Sequence, residues 1–147
     1  MKDVHLVVGV LSIALNGAAG LYGAWCWWRA RSSVWFWRGL RAGQAVVVAQ
    51  VALGGVLVLL GRKPPGLHVL YGVLPLLISV MAEQLRAASA QMVLDTRGYE
   101  SAREVGKLPE DEQRGIVVAI MQRELGVMTI AALVVTVLLL RAAQTAG

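Results

Sequence analysis

The only two histidines in this 147-residue chain open nearly identical stretches, His5-Leu-Val-Val-Gly9-Val-Leu and His68-Val-Leu-Tyr71-Gly72-Val-Leu, 63 residues apart. On a helix, residues four apart are neighbours, so each imidazole stands beside a glycine notch on the same face. Neutral imidazole is an axial ligand for haem iron, and two opposed imidazoles saturate the metal. A porphyrin lying between two helices needs flanks free of bulky side chains, and Gly9 and Gly72 leave that room. Tyr71 is placed to pack on such a ring or bond a propionate, and Arg62 and Lys63 have the charge a propionate seeks. The pattern nominates His5 and His68 as ligands to the iron of haem b, with Gly9, Gly72, Tyr71, Arg62 and Lys63 around it. Zinc suits the pattern poorly, because no nearby cysteine or further histidine completes four ligands.

The elements that carry these residues are apolar. With 57% hydrophobic and 16% charged residues and a mean hydropathy of +0.64, the chain departs from ordinary soluble composition. Long apolar runs over about 4–28, 42–60, 67–82 and 125–140 predict four membrane-spanning helices in a single domain. The expected fold is all-α, an integral membrane four-helix bundle. The N-terminal run is too long for a typical signal peptide and Asp3 weakens the basic region such a peptide needs, so it reads as a retained span. The single cysteine, Cys26, excludes an internal disulfide and CxxC chemistry, and bulky Trp25 before it argues against lipid attachment.

Charge sets the orientation. Arg29, Arg31, Arg38 and Arg41 fall between the first two spans, and six further bases lie between Arg86 and Arg123. Basic loops stay cytoplasmic, which places both termini and the Gly61–Gly66 turn outside, with Lys2, Arg62, Lys63 and Arg141 as outer charges. The expected location is the bacterial inner membrane. All five tryptophans, from Trp25 to Trp37, then line the inner boundary, where indoles prefer the headgroup layer. The net charge of +5 is explained by topology, and no basic stripe points to nucleic acid. Asn16 and Gln50, deep in apolar runs, are expected to bond between helices one and two, with a substrate path as the alternative. Pro75 is expected to kink the third helix.

Helix-forming sequence continues past the third apolar run, and Pro109 followed by Glu110, Asp111 and Glu112 marks a new helix start leading into the fourth run. Helices three and four are therefore expected to extend into the cytoplasm as a hairpin over about 83–123, a solvated pair or a dock for a larger membrane complex. The similarity of the two histidine stretches extends to the helices that follow: Gln50 to Arg62 and Met128 to Arg141 are both Val/Leu-rich and end in arginine. Two helical hairpins repeated in parallel would set His5 and His68 at equal depth across a pseudo-twofold axis.

The stretch Gln50-Val-Ala-Leu-Gly-Gly-Val-Leu-Val-Leu-Leu-Gly-Arg-Lys-Pro-Pro-Gly-Leu-His68-Val-Leu-Tyr-Gly resembles the helix–turn–histidine-helix of heme A synthase. That family has two four-helix halves, each with a pair of haem-ligating histidines. The resemblance implies that His5 and His68 are axial ligands and that the chain corresponds to one half. Here the histidine helices are first and third, not second and fourth. The extracellular cysteine pair and the glutamate one turn before the first histidine are missing. What the resemblance implies is thus a haem-binding relative or an assembly accessory, not oxidation of a haem methyl group. Two readings follow: a bis-histidine haem b protein for electron transfer or haem handling, and a cofactor-free accessory subunit, either one able to form homo-oligomers. A proton-driven transporter is disfavoured, since no acid lies mid-span.

Overall fold

Backbone N–H and C=O groups in long apolar segments have no partner but each other, and helix satisfies them within the segment. The computed structural model describes residues 2–146 apart from the side chain of Lys2, so the placing of that charge on the outer side lies outside the described residues. Every described element is a helix: α1 Lys2–Trp28, α2 Val34–Leu59, α3 Gly66–Ala87, α4 Ser89–Thr96, α5 Ala102–Val105 and α6 Glu110–Gln144. Four of these, α1, α2, α3 and α6, are long and apolar enough to cross a membrane.

Three helix ends share one hydrogen-bond pattern. After α2, Gly61 takes φ +86° while its N–H bonds Val58 O and that of Arg62 bonds Leu57 O. Gly98 repeats this after α4 at φ +79°. After α1, Ala30 N–H bonds Trp27 O, Arg31 N–H bonds Cys26 O, and φ at Ala30 is +52°. The left-handed residue of this cap is usually glycine, because a Cβ there crowds the backbone. Ala30→Gly is therefore expected to stabilise the protein by about 1 kcal/mol, read as a higher denaturation midpoint in detergent. An unchanged or lower midpoint would show that the turn is not strained.

α2 begins eight residues before the apolar run that announces it. Phe36, Leu40, Gly43 and Val47 are buried at helical spacing, while Arg38 and Arg41 ride the exposed face. The arginines conceal the helix from a hydropathy reading, and its inward stripe creates it. Between Ala88 and Pro109 the structure also departs from a plain helical pair. α3 gives way to α4 at Ala88, Gly98 ends α4, and only the one-turn α5 precedes Pro109. This region has its own small core of Val93, Leu94 and Ile116, packed with Tyr99, Val105, Leu108 and Ile120. α3 runs unbroken through Pro75.

α6 is the central element: 50% of its apolar window is buried, against 22% for α1 and 11% for α2 and α3. It packs along both α1 and α3, while α2 packs along α1 and meets α3 lightly. α1 and α2 run antiparallel in strict register: His5 faces Gly54, Gly9 faces Gln50, Asn16 faces Gly43 and Gly23 faces Phe36. α1 and α6 are matched the same way, with Gly17 against Thr136, Gly20 against Leu133 and Trp27 against Gly126. Small residues let the backbones approach closely. The two ends of this assembly differ. Toward the α1–α2 turn the core is thick, with Cys26, Phe36, Leu40, Leu125 and Met128 fully enclosed. Toward the histidines it thins to Val47, Val135 and Leu139.

Candidate functional site

The thin end is where the two histidines meet. His5 comes from the first turns of α1 and His68 from the first turn of α3, and their ring centroids lie 6.1 Å apart with planes inclined at 65°. The two residues are 63 positions apart in sequence, so the contact is a product of the helix packing. α1 and α3 are brought together indirectly, through their shared partner α6 and through α2.

Each of the four long helices contributes to the site. Nδ1 of His68 lies 2.9 Å from the carbonyl oxygen of Ala142 on α6. A carbonyl only accepts, so this nitrogen carries the proton and Nε2 of His68 is left with its lone pair. Nε2 of His5 lies 3.2 Å from the Gln50 amide nitrogen on α2. Exchanging the amide's N and O reverses the direction of that bond but leaves Nδ1 of His5 without a partner. A buried, unpartnered ring nitrogen is uncommon and calls for a ligand or water. Gly54 makes room for the His5 ring: a methyl group there would touch Cε1 at 3.4 Å.

The expected companions divide into two groups. Gln50 joins the site directly. Beside Gly72 nothing lies within 4 Å of where a Cβ would stand, so that flank of the site is open. Gly9 differs, because the Gln50 amide nitrogen fills its notch, 2.9 Å from where a Cβ would stand. Tyr71 is half-buried on α3 and makes no side-chain hydrogen bond among the described residues. Arg62 and Lys63 are exposed in the turn before α3, at the histidine end but free of the rings. Asn16 lies deeper along α1, 1% exposed, donating to Ser12 O at 2.9 Å and to Gly43 O at 3.3 Å. It therefore ties α1 to α2 through the backbone of α2, not through Gln50.

Two participants escaped sequence reasoning. The Ala142 carbonyl carries no side-chain signal. Gly54 reads as one more packing glycine. Two turns further along α1, Ser12 is buried with an unpartnered hydroxyl, and its carbonyl accepts from Asn16. Among the described residues no third His, Cys, Asp or Glu joins the pair. The donor set is thus two imidazoles and an amide. Two nitrogens leave a bare metal ion under-ligated, whereas iron in a porphyrin already has four in-plane nitrogens and needs two more. The residues match such a group in donor type and number, and the flank at Gly72 is open, but Gln50 fills the Gly9 notch and bonds the Nε2 of His5. No family model, curated protein or solved structure matches the chain.

Proposed function

We propose that this is an integral membrane protein holding haem b between His5 and His68, near the outer side of a bacterial inner membrane. The observation that carries the reading is the meeting of the only two histidine rings, from α1 and α3, with centroids 6.1 Å apart and planes inclined at 65°. His5 and His68 would hold the iron, with Nε2 of His5 released from Gln50. Bound haem supplies one-electron chemistry at a bis-imidazole iron, so electron transfer or haem handling is the function. His68 presents Nε2 in a fixed tautomer, Gly72 keeps a flank clear, Gly54 gives the His5 ring its room, and Arg62 and Lys63 at the same end offer charge for the propionates. Four crossings with the basic turn inside place both termini outside, and the hairpins α1–α2 and α3–α6 are read as parallel repeats of one unit. The resemblance to heme A synthase adds to this reading.

The test is the visible spectrum of the purified full-length protein. A sharp α-band on reduction, lost in both His5→Ala and His68→Ala, is the expected result. A colourless preparation that takes up no added haem would overturn it. That outcome would favour the second reading, an accessory subunit of a larger membrane complex. One observation speaks for that alternative: Val117 and Val118, 62% and 42% exposed, stand on the projecting part of α6 where bilayer does not cover them in this topology.

A further inference from the structure

The α1–α2 turn carries more positive charge than nearby acids neutralise. Among the described residues Glu83 makes the ion pairs, and it takes Arg41 and Arg86. Among the described residues Arg29, Arg31 and Arg38 meet no carboxylate. Two of them lie instead on indole faces. The Arg29 guanidinium stands 5.7 Å from the Trp25 ring and 5.8 Å from Trp28, and that of Arg38 stands 5.3 Å from Trp35. A guanidinium that lies over a ring instead of pairing with a carboxylate keeps N–H donors for another anion, and two of them match two oxygens of a phosphate.

The frame behind these arginines is fixed. Trp37 Nε1–H donates to Ser32 Oγ at 3.0 Å, and Tyr22 and Ser33 hydroxyls bond at 3.0 Å. The stacking rings themselves face outward: Trp28 is 80% exposed and Trp35 71%. Cationic edges above exposed indoles reproduce the polarity of a lipid headgroup region, charged outside and apolar beneath.

We propose that the α1–α2 turn is a binding site for the headgroup of an acidic phospholipid. Its phosphate is taken by the free edges of Arg29, Arg31 and Arg38, and its glycerol and upper acyl region lie against Trp28 and Trp35. The proposal rests on the chain spanning a membrane and is independent of haem. Charge complementarity selects an anionic lipid over a zwitterionic one, since the three arginines are uncompensated.

All five tryptophans lie at this end, so their fluorescence reports the lipid beside it. The full-length protein is reconstituted into phosphatidylcholine bilayers containing brominated phosphatidylglycerol or brominated phosphatidylcholine, whose bromines quench indoles on contact. Brominated phosphatidylglycerol is expected to quench preferentially, by about fivefold in relative affinity for each arginine engaged, and the preference should shrink in high salt. R29Q/R31Q/R38Q should bring it near unity, while R62Q/K63Q at the opposite end leaves it intact. Circular dichroism confirms that the variants keep their helix. Equal quenching by both lipids overturns the proposal, as does a preference that survives the triple substitution. Quenching by neither lipid would instead remove the membrane reading beneath it.

Discussion

Gly23→Leu is expected to destabilise the protein by about 3 kcal/mol or to prevent its assembly. Gly23 lies where three helices converge. A Cβ there would collide with the Phe36 ring of α2 and would stand 2.5 Å from Thr129 Oγ1 of α6. Neither neighbour has room to retreat, since Phe36 is 0% and Thr129 1% exposed. Phe36 belongs to the thick core with Cys26, Leu40, Leu125 and Met128. Relief must therefore come from moving a helix, and the strict register of α1 on α2 and α6 spreads that shift along both interfaces. Gly55→Ala is the control, for nothing lies within 4 Å of its Cβ position. It should change stability by less than ~0.5 kcal/mol. Unfolding in detergent, followed by tryptophan fluorescence, reads both. Equal stability of Gly23→Leu and the parent would refute the packing account.

Why the four long helices were legible and their details were not follows from what each signal measures. Hydropathy reports burial in lipid or protein alike, so it found α1, α2, α3 and α6. It was blind to the first two turns of α2, where Trp35, Arg38 and Arg41 flank the buried Phe36 and Leu40. Period, not hydropathy, would have found them. In the 88–109 region Gly98 is a break that the glycine itself announces, and its left-handed φ ends α4. The passage from α3 to α4 at Ala88 has no such marker, because alanine and its neighbours are ordinary helix formers.

The site was legible in part for a similar reason. A repeated His-x-x-x-Gly motif pointed at His5 and His68, whose ring centroids lie 6.1 Å apart. The motif overstated the likeness of the two glycines. Gly72 faces open space, but Gly9 faces Gln50, because the α1–α2 register sets those two opposite each other. Pairing between helices is a long-range property. It decided which notch is filled, and no local spacing encodes it.

That inequality makes the two histidines unequal, and under the haem reading proposed above it carries the last expectation. His68 is oriented by a backbone carbonyl: its Nδ1–H is committed to Ala142 O, and Nε2 is offered in the tautomer that iron requires. Such outer partners hold ligand rings in place and commonly contribute 10–100-fold in metal affinity. His5 has no such anchor, for Nδ1 is unpartnered and Nε2 is shared with a flexible amide. Removing the oriented ligand should therefore cost the cofactor, whereas removing the other should cost only a coordination bond. In protein reconstituted with haem b, His68→Ala is expected to retain less than about a tenth of the pigment after gel filtration. His5→Ala should keep most of it, with a Soret band but without the sharp reduced α-band, and should bind carbon monoxide readily. Gln50→Leu separates the causes, because freeing His5 from the amide should strengthen the six-coordinate spectrum. Equal pigment loss in the two histidine variants, or retention favouring His68→Ala, would show that the Ala142 contact does not govern how this pair holds its ligand.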